Sequence, residues 1–428
     1  MIDIKLIREH PELVKKNIEK KFQQEKLPLV DKVRKLDVKW RELKTEADSL
    51  RAERNKISED INQAKKAKDE KKAQELLKKA KRIPEQIAEI ESQTTGMEEE
   101  IKQIMYSIPN IIHSSVPVGR NSEENVELKK VGEPRVPSFP IPHHAEIVEK
   151  MKGVDFDSAR DISGNGFYFL RGKIALVHVA MLAFARDYMV KQGFEFVIPP
   201  FMIRRKVVEG VMSFKEVENM MYKVEGEDLY LIGTSEHSMI GRFMDKTLDE
   251  NELPIAMTSY SPCFRKEVGS HGLEEKGFYR LHQFEKQEMI VICEPKDSYK
   301  WYDKMMQFTI DVFRALEIPI RVLECCSGDL ADLKAKSCDI EAWSPRQKKY
   351  WEAGSLTNME EGQARRLNIK IDGKTGKYFA HTLNNTVLAS PRALIAFLEN
   401  NYQKDGSIKI PKVLWPYTGF KEIKSVKI

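Results

Sequence analysis

Between Cys263 and Glu288 the sequence gathers residue types able to handle a charged nucleotide. Residues 255–267 and 278–293 are β-rich runs. The glycine-containing stretch 268–277 between them predicts an antiparallel hairpin with a mobile loop. Residues two apart on a strand share a face, so Arg265 projects with Glu267. By the same alternation Arg280, His282, Phe284 and Glu288 project together. Guanidinium forks suit phosphates, and an aromatic ring stacks on a base. The same set would also serve as an exposed sheet face laced with salt bridges, and at this point both readings stand.

A second concentration lies near the C-terminus. Residues 379–386 read as a strand, and Ser390-Pro391-Arg392 opens an apolar helical pattern. Ser390 suits the N-cap and Pro391 the first helical position. Arg392 is then a cation in a first turn, opposing the helix dipole by about a few tenths of a kcal/mol. Something anionic should compensate, either a phosphate or a neighbouring acid. The five cysteines, Cys263, Cys293, Cys325, Cys326 and Cys338, form no C-x-x-C pair. Neither a disulfide framework nor a structural zinc is expected.

These residues need a scaffold. Residues 172–192 carry a helical pattern followed by a strand-like 194–198 that stops at Pro199-Pro200, as in many α+β domains. The N-terminal third differs. Apolar residues run Val33, Leu36, Trp40, Leu43, Ala47, Leu50, Ile57, Ile61 and Ala64, in steps of 3 and 4 broken only at Arg54. A second ladder runs Ala73, Leu76, Ala80, Ile83, Ile87, Ile90, Thr94, Met97, Ile101 and Ile104, with Pro84 inside it predicting a kink. Two such seams around the polar stretch 65–72 predict an antiparallel coiled-coil hairpin. At 1.5 Å per residue, 32 residues give an arm on the order of 50 Å long. Between Ile61 and Arg82 nine Lys or Arg face three Asp or Glu. That excess fits a solvated face or a grip on a phosphate backbone. Prolines at 109, 117, 134, 137, 140 and 142 place the boundary near residue 110.

Composition bounds the rest. The 428 residues allow two or three domains, and 41% hydrophobic with 32% charged describes a globular chain. No apolar run approaches the roughly 18 residues that span a bilayer. The first twenty residues mix acids and bases amphipathically, unlike a signal or transit peptide, so a cytoplasmic location without membrane contact is expected. A net charge of +5 names no partner by itself.

Taken in order, these segments resemble the class II seryl-tRNA synthetase family over essentially the whole chain. The opening MIDIKLIREHPE and the hairpin are similar to that family's N-terminal tRNA-binding arm. The helix and strand ending at Pro199-Pro200 resemble motif one, the dimer-forming element. Cys263 to Glu267 with Gly277 to Phe284 resembles motif two, and Thr382 to Thr386 through Arg392 resembles motif three. Thr234-Ser235-Glu236, Cys326-Ser327-Gly328-Asp329 and Gln363-Ala364-Arg365-Arg366 are similar to segments distinctive of the seryl members.

The resemblance implies an α+β chain: residues 1–110 a coiled-coil arm, residues 111–428 an antiparallel sheet flanked by helices rather than a Rossmann fold. It implies a homodimer that joins L-serine to tRNA(Ser), and also to tRNA(Sec), through ATP-driven adenylate formation. ATP would be held by Arg265, Lys266, Glu267, Arg280, Phe284, Glu352, Ala353, Gly354, Ser355 and Arg392. Arg265 and Arg392 would be the catalytic pair. Serine would be held by Thr234, Ser235, Glu236, Arg265, Glu288, Asn384 and Thr386. Mg²⁺ would sit on Glu352 and Ser355 with the ATP phosphates, and no zinc is implied. Leu356-Thr357 departs from the serine- and cysteine-rich run of many members and leaves the proposed metal ligands in place. A related amino acid:carrier-protein ligase would lack the ladders, and a non-catalytic relative would lack the arginines and carboxylates.

Overall fold

The computed structural model describes residues 1–267 and 277–424, apart from the Lys215 side chain. The expected mobile loop therefore lies, at residues 268–276, outside the described residues. The chain forms two compact units. One comprises Ile2–Glu19 and Gln23–Ile108, and the other Met1, Lys20–Phe22 and Pro109–Ile428.

In the first unit two long helices, α1 (Leu27–Lys66) and α2 (Glu70–Ser107), lie antiparallel. Cross-helix pairs fix the direction: Lys32 meets Glu100 at 2.8 Å and Arg51 meets Glu91 at 2.6 Å. Every apolar ladder position is buried or half-buried, while Arg54 is exposed. Lys68 turns the chain with φ 55°, and Asp69 caps α2 by accepting from Lys72 N at 3.1 Å. The helix runs through Pro84 as one unbroken element. Ile83 and Ile87 pack with Ile57 and Ile61 of α1. That packing carries α2 across the one hydrogen bond proline cannot give. Asp37 is buried outside the apolar ladder, held by Arg8 at 2.6 Å and Arg41 at 3.0 Å. Periodicity alone gave no sign of it.

The second unit is organised by one eight-stranded sheet. Its strands are β1 (Val126–Val131), β2 (Glu195–Val197), β3 (Ile255–Phe264), β4 (Gln283–Cys293), β5 (Ile320–Glu324), β6 (Lys336–Ser344), β7 (Lys349–Glu360) and β8 (His381–Ala389). The order is β1-β5-β6-β7-β8-β4-β3-β2, antiparallel except for the parallel edge pair β2–β3. Helices α3 (Gly172–Lys191), α4 (Ser235–Gly241), α5 (Ser298–Ala315), α6 (Gly362–Leu367) and α7 (Ser390–Asn401) flank it.

Strand alternation sets what each face does. On β4 the odd residues Met289, Val291 and Cys293 join Val177 and Met181 of α3, Tyr302 and Phe313 of α5, and Leu394 and Phe397 of α7 in the larger core. The even residues Ile290 and Ile292 join Met239 and Ile240 of α4 in a second core. Continuing back along that even face come Glu288, Lys286 and Phe284, so one strand passes from core into site without changing face. His282 departs from the expected alternation because β4 starts only at Gln283. Its Nδ1 lies 2.8 Å from Tyr222 Oη and 3.0 Å from Arg265 O.

Candidate active site

A cleft on the sheet is lined by Arg265, Glu267, Tyr279, Phe284, Lys286, Glu352 to Ser355, Thr386 and Arg392. Arg265 follows the end of β3, where its Nε donates to Gly233 O at 3.2 Å. Its guanidinium carbon lies 5.2 Å from the centre of the Phe284 ring, which holds the fork beside a flat apolar surface.

Glu352 and Ser355 are three apart, so strict alternation would send them to opposite faces. The pairing of β6 with β7 skips at Ala353: Glu341 faces Glu352 and Ile340 faces Gly354. This bulge re-aims the strand, and both residues line the cleft. Arg392 meets Glu352 twice, at 3.0 Å to the carboxylate and 3.1 Å to the backbone carbonyl. The anion expected near that first-turn arginine is thus, in the protein itself, a carboxylate. Desolvation in the cleft acts to raise Glu352, whose side chain is still 47% exposed, but Arg392, with Lys334 and Arg265, more than offsets this and holds it below its ordinary range. Asp339, opposite Ser355, goes the other way: burial and the charge of Glu352 push it up to about 7.

A buried polar cluster adjoins this cleft at Lys286 and Thr386. Thr386 pairs with Glu288 across β8 and β4, and its Oγ1 donates to Glu288 Oε1 at 3.0 Å. Lys286 also pairs with that oxygen. Glu288 is 2% exposed, and its Oε2 has no hydrogen-bond partner among the described residues. Asn384 Nδ2 and Ser235 Oγ are likewise buried without a partner. Glu236 accepts from Gln363 Nε2 at 2.7 Å, and Gln363 accepts in turn from Thr382 at 2.7 Å. Burial and the nearby Glu288 push the Glu236 carboxyl up to about 7. Burial and the Arg265 cation push His237 down to about 3, so it is a neutral ring. Thr234 caps α4, accepting from Glu236 N at 3.4 Å.

Two of the expected nucleotide residues stand apart from the cleft lining. Lys266 lies beyond the end of β3 and is absent from the cleft lining, and its backbone N–H donates to Met220 O at 3.0 Å. Arg280 reaches the site through Glu267, at 3.2 Å. Three residues were missed. Lys286 belongs to the same even-numbered series as Phe284 and Glu288, so alternation alone could have found it. Tyr279 lies beneath both Arg392, at 5.1 Å, and Arg280, at 5.9 Å. The bonding of Gln363 to Glu236 is a tertiary contact with no local signal. Ser390 is a correction: Ala389 holds the cap position and Ser390 is the first helical residue. Its hydroxyl is engaged by His178 rather than by the helix backbone. Among the described residues, Cys325, Asp329 and Asp339 place ligand-type atoms within 4.8 Å of one another. One thiol with two carboxylates is not the sulfur- and nitrogen-rich set of a structural zinc.

The seryl-tRNA synthetase N-terminal domain family matches residues 1–112, and the class II tRNA synthetase core domain family (G, H, P, S and T) matches residues 219–401. A serine–tRNA ligase of Pyrococcus abyssi is 42% identical, the match covering 100% of this chain and 98% of the relative. The crystal structure of Pyrococcus horikoshii seryl-tRNA synthetase complexed with ATP superposes with a TM-score of 0.94 at 42% identity, covering 100% of both chains. The cytoplasmic serine–tRNA ligase of Naegleria fowleri, in complex with AMP, gives 0.88 at 32% identity, covering 100% of this chain and 99% of that one. With its helical arm, its antiparallel sheet and these relatives, the chain belongs to the seryl-tRNA synthetase family of class II aminoacyl-tRNA synthetases, an ATP-dependent serine–tRNA ligase.

Proposed function

We propose that residues 111–428 activate L-serine in two steps, with residues 1–110 recognising the tRNA. In the first step the serine carboxylate attacks the α-phosphorus of ATP, forming seryl-adenylate as the bond to pyrophosphate breaks. In the second, a hydroxyl of the 3′-terminal adenosine of tRNA(Ser) attacks the seryl carbonyl and AMP leaves. tRNA(Sec) is proposed as a second acceptor. The observation that carries the serine reading is Glu288. It is buried, shares one oxygen with Thr386 and Lys286, and has no partner on the other among the described residues. A buried carboxylate oxygen needs a donor, and the ammonium and hydroxyl of serine supply one. Thr234, Ser235, Glu236 and Asn384 complete that pocket.

The ATP complex of the Pyrococcus horikoshii relative supports the nucleotide reading. Phe284 stacks on adenine and Glu267 contacts it. Arg265 meets the serine carboxylate and the α-phosphate, where its charge counts most as negative charge grows in the transition state. Lys266 and Arg280 contribute at the edge of the nucleotide. Arg392 holds the outer phosphates, exchanging its present contact with Glu352 for theirs. Glu352 and Ser355, with Ala353 and Gly354 between them, present oxygen donors of the kind Mg²⁺ prefers. Mg²⁺ there would neutralise phosphate charge, and the mutual repulsion of Glu352 and Asp339 fits a site that takes up a cation.

The rest of the reading concerns partners and place. The nine Lys and Arg side chains between Ile61 and Arg82 are all exposed, which supports contact with a tRNA backbone. Val179 of α3, Phe196 of β2 and Ile198 just beyond it are exposed and line one apolar hollow, which supports a homodimer. Among the described residues no helix is long and apolar enough to cross a membrane, and a cytoplasmic location is proposed.

The test is amino-acid-dependent ATP–pyrophosphate exchange across the twenty amino acids with Mg²⁺. Serine should support exchange, and alanine should be rejected by about 10⁴, because it has no hydroxyl to bond the buried Glu288 Oε2. Equal activation of serine and alanine would remove Glu288 and Thr386 from the pocket.

A further inference from the structure

Behind the cleft, three side chains from three elements form a hydrogen-bonded chain that the reaction as described does not use. His178, on α3, is buried. Its Nδ1 lies 2.5 Å from Ser390 Oγ, and its Nε2 lies 2.9 Å from Glu285 Oε2. Tyr168 Oη donates to the same carboxylate oxygen at 3.4 Å. A carboxylate only accepts, so Nε2 carries a hydrogen. In the neutral ring Nδ1 then accepts from the Ser390 hydroxyl, which fixes the tautomer and the order of donors. Burial acts to raise Glu285, but the His178 and Tyr168 bonds offset it and hold the group below its ordinary value.

Each end of this chain adjoins a different wall of the cleft. Glu285 lies between Phe284 and Lys286 on β4 and, by alternation, faces away from the side they occupy. Ser390 opens α7 two residues before Arg392, and its hydroxyl is spent on His178. Buried polar links of this kind add little net stability over well-packed apolar groups of similar volume. The backbone ladder already sets β4 beside the start of α7, with Lys286 facing Ala389. What the side-chain chain adds is the orientation of the first turn of α7 on that ladder.

We propose that His178 is a positioning residue for ATP: by tying Ser390 to Glu285 it orients the first turn of α7, and with it Arg392, relative to Phe284. The inference rests on the ATP reading above, in which Phe284 takes the base and Arg392 the outer phosphates. The serine pocket has its own ties, Thr386 to Glu288 and Thr382 to Gln363 to Glu236, and does not depend on this chain.

The test varies ATP and serine separately in serine-dependent pyrophosphate exchange, with thermal unfolding as the folding control. His178→Leu should raise the KM for ATP about tenfold while the KM for serine moves by less than about twofold. Ser390→Ala, which removes one oxygen, should raise the KM for ATP about threefold. The double variant should be no worse than His178→Leu, since both break one chain. His178→Gln, able to donate and accept, should recover most of the loss. An unchanged KM for ATP in folded His178→Leu overturns the proposal. So does a parallel rise for ATP and serine, or a double variant whose effects multiply. If His178→Leu does not fold, Ser390→Ala decides: an unchanged KM for ATP there overturns it equally. Arg392→Ala is the control on the underlying reading. If that variant keeps the wild-type KM for ATP, the ATP assignment itself fails, whatever His178 does.

Discussion

Along the arm, every third or fourth residue from Val33 to Ala64 faces the same partner helix, whereas on the sheet no two residues of the candidate site repeat a role. Loss of one ladder residue such as Ile61 leaves neighbours that still define the seam. Loss of Arg265 leaves nothing that can take its place beside Phe284. A repeated seam tolerates change and presents a surface. A set of single contacts is intolerant and can do chemistry. The comparison predicts that damage to the sheet abolishes activation, while damage to the arm weakens recognition by degrees.

The largest effect should come from the sheet. Arg265→Ala should slow serine-dependent pyrophosphate exchange roughly a hundredfold or more, because its charge is matched to the transition state. A variant exchanging at close to the wild-type rate would remove Arg265 from the mechanism. An intermediate effect should come from the arm. Replacing Lys65, Lys66, Lys71 and Lys72 together with Ala should weaken tRNA binding about tenfold at moderate salt and flatten its salt dependence. An unchanged salt slope would mean that the four lysines touch no phosphate.

The smallest effect should be on stability. The Glu236 carboxyl sits at about 7 in the folded chain, and at about 4.3 when unfolded. Between those values the folded state binds more protons, so this group's contribution to stability is present at low pH and is lost as pH rises. Glu236→Gln does not titrate. Its melting temperature relative to wild type should therefore rise by about 2–4 °C between pH 5 and pH 8. A difference that stays constant across that window would show that Glu236 is ionised throughout.

The same contrast explains what could be read from the sequence. The ladder positions needed only a period, and the structure buries or half-buries all of them except Arg54. At Pro84 the helix continues as one element, with Ile83 and Ile87 packed against α1 on either side of the proline. On the sheet, alternation brought Phe284 and Glu288 to one face and should also have brought Lys286. It misplaced His282, which lies before the strand begins. The shared direction of Glu352 and Ser355 depends on a bulge at Ala353 that no pattern announces. Ser390 has the composition of an N-cap, yet His178, 212 positions away in the chain, claims its hydroxyl. Resemblance supplied the site's residues; alternation, bulge and tertiary contact decide which of them meet.

The most direct test separates the two units in one protein. Residues 33–104 are deleted, a short linker closes the gap, and the same preparation is assayed for serine-dependent pyrophosphate exchange and for tRNA(Ser) charging. The account predicts exchange within a fewfold of the full chain and charging nearly abolished. Exchange lost along with charging, in protein whose sheet unit is folded, would contradict it, as would charging that survives the deletion.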